Sequence, residues 1–261
     1  KSMMNNDFFK FFLKPVFSKK DSLDVAFCIR NKMYSYSQLY DAVEQIWNVV
    51  KDLPEDLIGL YATDDIRTYA SIIALWCCGK TYIPLNPKQP KERHIEVIES
   101  VGSHFILSAD KKYNIDVESV NMVPTKEVLM DGYSRKESVE FSKVPESTLA
   151  YIIFTSGSTG KPKGVPITRG NVAAFIDSMN HIGLDITKED KCLQPFDLTF
   201  DFSVSSYVIP LAKGASIYTI PQKAIKFSYI AGLLEDYHLT VLQMVPSMVR
   251  NMLPYMDEVE L

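Results

Sequence analysis

Hydrophobic and polar residues along the chain repeat one arrangement, in which a helical pattern ends at a glycine and a short strand pattern follows. The three glycines are Gly79 between 66–78 and 81–85, Gly102 between 92–101 and 104–107, and Gly214 between 202–213 and 215–220. Glycine readily adopts the left-handed conformation in which many helices end. Strands that alternate with helices predict an α/β fold with largely parallel sheets flanked by helices.

Further patterns extend this prediction to most of the chain. Strands are predicted at 57–61, 149–154 and 239–245, and helices at 37–51, 169–182, 224–237 and 247–256. Segment 131–148 is polar, contains Gly and Pro, and lacks sustained apolar periodicity. We therefore predict one α/β subdomain at 1–135, a connector at 136–148 and a second α/β subdomain at 149–261.

The aromatic residues near the start of the chain could suggest a signal peptide, but the sequence argues against one. Lysines interrupt the apolar stretch between residues 8 and 14, and no small-residue cleavage site follows. We expect this segment to pack on the domain.

Composition excludes several classes of protein. The 261 residues are 46% hydrophobic with a net charge of −4, so the chain should fold and offers no basic surface for nucleic acid or anionic lipid. Its longest apolar run, at 72–78, is too short to span a membrane. The four cysteines lack the spacing of a zinc site or a disulfide framework, which favours the cytoplasm. The histidines show no metal or triad spacing; they are His94, His104, His181 and His238.

A glycine-rich loop follows the strand pattern at 151–154. Residues 155–164 read Thr-Ser-Gly-Ser-Thr-Gly-Lys-Pro-Lys-Gly. Glycines let backbone N–H groups curl around an anion, hydroxyls add donors and lysines add positive charge, so the loop is typical of a phosphate site. A Walker P-loop would need Gly at 155 and Ser or Thr at 162, where the chain has Thr155 and Pro162. A flexible linker is disfavoured because a strand leads into the loop and prolines stiffen its exit.

Residues 149–164 as a whole resemble the phosphate-binding signature of the adenylate-forming enzymes. This family includes amino-acid adenylation domains of peptide synthetases, D-alanine:carrier-protein ligases, acyl-CoA synthetases and luciferases. Segments 33–39 and 75–87 are similar to further family elements in the expected order, with Asn86 in place of the commoner Asp. The resemblance implies that ATP is bound and that Lys163 neutralises the departing pyrophosphate. The residues implied to hold the β- and γ-phosphates are Thr155, Ser156, Gly157, Ser158, Thr159 and Gly160.

Two Phe-Asp pairs follow, at 196–197 and 200–201, where the amino-acid-activating branch of the family has one. Counting back from Gly214 selects the second pair, so the resemblance implies that Asp201 binds the α-ammonium group of an amino acid. The substrate pocket would also include Phe200, Phe202 and Ser205. A fixed carboxylate would offset the cost of desolvating that cation. Asp201 as a helix N-cap, and Asp197 as the ammonium ligand, remain open alternatives.

The resemblance implies the whole reaction and its partners. An amino acid would be activated as an acyl-adenylate with release of pyrophosphate, and then transferred to the phosphopantetheine thiol of a carrier protein or coenzyme A. The acid that binds Mg²⁺, a ribose aspartate and a C-terminal domain with a catalytic lysine are expected beyond residue 261. We therefore expect the N-terminal subdomains without the C-terminal domain, inactive alone and with no catalytic residue assigned. An acyl- or aryl-CoA ligase and a non-catalytic binding module are the alternatives.

Overall fold

A computed structural model of the protein describes residues 6–126, 138–156, 160–257 and 259. The strands are β1 (Val25–Ile29), β2 (Lys32–Ser35), β3 (Leu57–Tyr61), β4 (Thr81–Leu85), β5 (Phe105–Ser108), β6 (Asn121–Pro124), β7 (Leu149–Ser156), β8 (Pro162–Thr168), β9 (Lys191–Gln194), β10 (Ser216–Thr219) and β11 (Val241–Leu242). The helices are a π-helical turn (Phe9–Leu13), α1 (Lys14–Phe17), α2 (Tyr36–Val50), α3 (Ile66–Cys77), α4 (Lys91–Val101), α5 (Arg169–His181), α6 (Phe202–Lys213), α7 (Lys226–Tyr237) and α8 (Pro246–Met256). Within these ranges, no helix has the length and apolar character needed to cross a membrane.

The three helix–glycine–strand units are confirmed. Helices α4 and α6 end directly before the predicted glycine and α3 ends two residues before it, and β4, β5 and β10 follow them. The glycines have left-handed φ values of 74° at Gly79, 65° at Gly102 and 74° at Gly214. A side chain at these positions would be strained, which explains why the sequence pattern marks the helix ends so clearly.

Two sheets organise the described part of the chain. The five-stranded sheet has the order β11-β9-β10-β1-β2, and the six-stranded sheet has the order β6-β5-β3-β4-β7-β8. Strands pair in parallel except for the antiparallel pairs β1–β2 and β7–β8. The predicted α/β class with largely parallel sheets is therefore confirmed.

The sheets do not follow the predicted division of the chain. Strand β1, from the first predicted subdomain, lies between β2 of the same subdomain and β10 of the second, and β7 and β8 extend the sheet formed by β3 to β6. In the described part of the connector, 138–148, there is no helix or strand. There the Ser142 amide donates to the Cys77 carbonyl at 2.8 Å. The division into 1–135, 136–148 and 149–261 stays a prediction.

The leading segment packs on the domain, as the sequence predicts. Phe8 and Phe12 are fully buried, and both rings meet Trp76 edge-to-face with centroids 5.3 Å apart. The indole of Trp76 also donates to the Ala150 carbonyl at 2.9 Å. The segment is therefore part of the main hydrophobic core.

Several strands lie where none is predicted from the sequence. They are β1, β2, β6, β8 and β9, and conversely only Val241–Leu242 of the predicted strand 239–245 is a strand. Strand β8 contains Pro162 and Pro166, but it forms the edge of its sheet. An edge strand tolerates proline because one row of its backbone groups needs no partner.

Candidate functional site

The predicted phosphate loop lies at the turn of the β7–β8 hairpin. Thr155 is opposite Lys163 in the antiparallel register, and the Thr155 hydroxyl donates to the Lys163 carbonyl at 3.5 Å. Thr155 and Lys163 are both exposed. Of the other predicted phosphate ligands, Gly157, Ser158 and Thr159 lie outside the described residues, and Ser156 is described only in its backbone.

Two glycines fit the hairpin for different reasons. Gly160 has φ of +77°, and among the described residues no atom lies within 4 Å of where a Cβ would stand, so its backbone conformation alone favours glycine. A Cβ at Gly164 would lie 2.9 Å from Ile152 Cγ2 and 2.9 Å from Phe154 Cζ. Glycine at 164 therefore lets the two strands approach closely below the loop.

A pocket of about 450 Å³ lies beside this hairpin. The pocket lies between β7, β8 and α5 on one side and α6 and the residue after β11 on the other. Its lining consists of Tyr151, Ile167, Asn171, Val172, Phe175, Met179, Asp201, Phe202, Val204, Ser205 and Gln243. Most of these side chains are apolar or aromatic. Three of the four predicted substrate residues, Asp201, Phe202 and Ser205, therefore line one pocket.

Asp201 occupies the position before the first residue of α6, but it does not act as a conventional N-cap. Its backbone is already helical, with φ −61° and ψ −29°, and its side chain makes no capping hydrogen bond. Burial and, to a lesser extent, the Asp201 carboxylate raise the pKa of Tyr151 to about 12. Asp201 and Tyr151 line the same pocket, and the alternative role of Asp201 as an N-cap has no hydrogen bond to support it.

Asp197, the alternative acid, lies in different surroundings. Its carboxylate is 3.3 Å from the ammonium of Lys88, and it lines a separate pocket of about 80 Å³ that also includes Lys226. A lysine already offsets the Asp197 charge. The structure thus places the two acids in different pockets, although the centroids of the Phe196 and Phe200 rings lie 5.4 Å apart. The acid selected by the family spacing is the one in the mostly apolar pocket.

The remaining predicted pocket residues belong to an aromatic cluster and a polar network. Phe200 stacks on Phe202 with centroids 5.8 Å apart, but it does not line the pocket. The Ser205 hydroxyl donates to the Phe202 carbonyl at 2.8 Å and accepts from the Gln243 amide. The binding roles of Phe200, Phe202 and Ser205 stay predictions.

Gln243 is a pocket residue that sequence reasoning missed. Its amide nitrogen bonds to Ser205, and its amide oxygen accepts from the Ser206 hydroxyl at 3.1 Å, so it ties the end of β11 to α6. The only signal for it in the sequence is a polar residue inside the apolar run 239–245.

A buried carboxyl group, Asp64, was also missed. It lines the pocket of about 80 Å³, together with Gln194 at the end of β9 and Thr219 at the end of β10. Burial raises the pKa of Asp64 to about 6, against the opposing effects of the Thr219 hydroxyl and the Arg30 guanidinium. Nothing in the local sequence shows that strand ends from both sheets enclose this residue.

Asp64 should make the stability of the protein depend on pH. The pKa of Asp64 in the folded protein is raised above its ordinary value of 3.8, so the protonated carboxyl favours the folded state. This contribution to the free energy of unfolding is complete below about pH 4 and is lost as pH rises through 6. The shift corresponds to about 3 kcal/mol. We expect Asp64→Asn to gain stability relative to the unsubstituted protein as pH rises from 4 to 7, measured by urea unfolding. The exposed Asp185→Asn should give a parallel profile, and a parallel profile for Asp64→Asn would contradict this prediction.

The described residues contain no group of three or more His, Cys, Asp or Glu side chains arranged to hold a metal ion. His94 is buried between the Tyr113 hydroxyl at 2.9 Å and the Asn86 carbonyl at 2.7 Å. His104 contacts the Glu55 carboxylate at 2.5 Å. His181 Nδ1 lies 2.7 Å from the Asp177 carbonyl. Three of the four histidines thus have protein partners on their ring nitrogens.

Comparison with known proteins identifies the family. A family model described as "AMP-binding enzyme" matches residues 18–260. Delta-poly-L-ornithine synthetase of Acinetobacter baumannii is 29% identical over 226 residues, which cover 84% of this chain and 16% of that protein. The chain therefore spans about a sixth of the length of that curated relative.

Solved structures show the same fold. The Klebsiella oxytoca NpsA N-terminal subdomain, in complex with 3-hydroxybenzoyl-AMSN, superposes with a TM-score of 0.78 at 20% identity, covering 93% of this chain and 62% of that chain. The nonribosomal peptide synthetase FmoA3 in its AMPPNP-bound form gives a TM-score of 0.82 at 21% identity, covering 96% and 27% respectively. On the family match across 18–260, this chain belongs to the AMP-binding, adenylate-forming enzymes, with the fold of their N-terminal subdomain.

Proposed function

We propose that this chain supplies the ATP- and amino-acid-binding part of a ligase that activates an amino acid as its acyl-adenylate. The observation that carries the proposal is the Asp201 carboxylate, which lacks a capping bond and lines a mostly apolar pocket beside the phosphate-loop hairpin. An ammonium group entering such a pocket needs a fixed negative charge. A carboxylic acid without an amino group does not.

In this reaction the substrate carboxylate attacks the α-phosphate of ATP, and pyrophosphate leaves. Asp201 would orient the amino acid by its ammonium group, with the pocket wall around Phe202 excluding water from the substrate side chain. Thr155, Gly160 and Lys163 would hold the β- and γ-phosphates and offset the charge of the leaving group. Bound Mg²⁺ would add further charge neutralisation, and its acidic ligand is expected beyond residue 261.

The acyl group would then pass to the phosphopantetheine thiol of a carrier protein or of coenzyme A. Because the chain spans only part of its relatives, this complete sequence of steps is proposed for the whole protein.

The four cysteines are free, as is usual in a reducing compartment, and this supports a cytoplasmic location.

An aryl acid is the second candidate substrate. The NpsA subdomain is described in complex with a 3-hydroxybenzoyl analogue, and the pocket here contains aromatic side chains such as Phe175 and Phe202. This alternative leaves the Asp201 carboxylate without a cationic partner, so we place it second.

Two acyl-adenylate analogues that differ only in the ammonium group test the proposal. We expect the chain to bind alanyl-sulfamoyl adenosine at least about 30-fold more tightly than propanoyl-sulfamoyl adenosine by isothermal titration calorimetry, equivalent to about 2 kcal/mol. A hydroxybenzoyl analogue serves as the third ligand. Equal or tighter binding of either uncharged acyl group would favour an acyl- or aryl-acid ligase instead.

A further inference from the structure

Arg169, the first residue of α5, is a buried cation without an acidic partner. Only 2% of its surface is exposed. One guanidinium nitrogen donates to the Trp76 carbonyl, and the guanidinium carbon lies 5.0 Å from the centroid of the Phe8 ring. Its Nε atom has no acceptor, and no carboxylate in the described ranges forms an ion pair with it.

This arrangement is energetically unusual. Burying a charged group without a counter-charge costs several kcal/mol, and proteins normally pair such a group. Burial lowers the pKa of Arg169 to about 10, so the side chain is still protonated at neutral pH. The positive charge is therefore present, and no carboxylate in the described ranges forms an ion pair with it.

An open groove of about 540 Å³ lies next to Arg169, between the leading segment and residues 141–146. Its apolar lining consists of Phe9, Leu13, Phe141, Val144 and Pro145. Ligand-binding pockets generally combine an apolar wall with a few polar groups that orient the ligand, and they fall in this range of volume. No residue lines both this groove and the Asp201 pocket.

The charged residues that line the groove are Arg169, Lys143 and Glu146, two positive charges and one negative charge, so its net charge is +1. Glu146 also lines the groove, but one of its carboxylate oxygens accepts from the Phe8 amide at 3.0 Å. Lys143 adds a second, exposed positive charge to the lining. An anion is therefore the polar group that this groove can accept.

We propose that this groove binds a carboxylate that carries an apolar chain, with the carboxylate paired to Arg169 and the chain lying along Phe9, Leu13 and Phe141. A carboxylate supplies the acceptor that the Nε atom of Arg169 lacks, and charge-assisted hydrogen bonds of this kind are strong. The apolar chain removes the exposed surface of the lining from water. This site is independent of the amino-acid pocket and of the proposed reaction.

Matched ligands with and without the charge test the site on the intact chain. We expect sodium decanoate to bind with a Kd at least 10-fold lower than that of decan-1-ol by calorimetry. Its addition should slow hydrogen exchange of the backbone in 6–17 and 138–146. Equal binding of decanol and decanoate, or no decanoate binding at 1 mM (roughly −4 kcal/mol), would overturn the proposal.

Substitutions in the groove distinguish the loss of the pair between Arg169 and the ligand carboxylate from a loss of folding. Arg169→Gln should weaken decanoate binding at least 10-fold and leave decanol binding unchanged. If Arg169→Gln does not fold, Lys143→Glu at an exposed position should still weaken decanoate binding severalfold, whereas Lys188→Glu, outside the groove, should not. Unchanged decanoate affinity in Lys143→Glu, or decanoate binding seen only after Glu146→Gln, would show that the groove is not a carboxylate site.

Discussion

Replacing Asp201 with asparagine is expected to weaken binding of the alanyl-adenylate analogue by about 100-fold, equivalent to about 2.7 kcal/mol. Asparagine keeps the size of the side chain but removes the charge that we propose offsets the ligand ammonium in a mostly apolar pocket. Asp201 is exposed without a ligand, and the bound analogue would cover it. The loss of one member of such a covered charge pair costs about this much, because the other charge is left unpaired. The measurement is calorimetric titration of the chain with the charged analogue.

Two controls make this prediction specific to the ammonium group. Asp201→Asn should leave binding of the propanoyl analogue unchanged, since that ligand has no cation. Asp197→Asn should have little effect on either ligand, because Asp197 lies in the other pocket and contacts Lys88. A comparable loss with Asp197→Asn, or an equal loss for both ligands with Asp201→Asn, would remove Asp201 from the role proposed for it.

The parts of the fold predicted from sequence are those whose signal is local. A helix that ends at Gly102 or Gly214 can be predicted from the sequence, because only glycine adopts the positive φ required there without cost. The pairing of strand β1 with β10 gives no such signal, since it joins Phe27 to Ile217, which are 190 positions apart. Which sheet a strand joins also depends on residues far away in the sequence. Each of the two sheets therefore contains strands from both predicted subdomains.

The candidate site shows the same distinction. Spacing along one segment was enough to prefer Asp201 over Asp197, and the structure places them in different pockets. Tyr151 and Gln243 join the Asp201 pocket only through the packing of distant elements, which no local pattern encodes. The buried charge of Arg169 is similarly invisible in sequence, where an arginine at the start of a helix looks like an ordinary surface residue.

The largest effect on stability is expected for Trp76→Ala, which should lower the free energy of unfolding by about 4 kcal/mol. The Trp76 ring is fully buried and contacts Phe8 and Phe12 of the leading segment. Its removal leaves a cavity and an unpaired carbonyl at Ala150. Urea unfolding gives the change in stability, and limited proteolysis reports whether the leading segment detaches.

Trp76→Phe separates the two contributions. It keeps an aromatic ring against Phe8 and Phe12 but cannot donate to Ala150, so the loss should be smaller, about 2 kcal/mol. Cleavage within the leading segment should accelerate in the alanine variant much more than in the phenylalanine variant, because only the former loses the edge-to-face contacts. A loss below about 1 kcal/mol in Trp76→Ala would mean that the leading segment and the six-stranded sheet hold together without this ring.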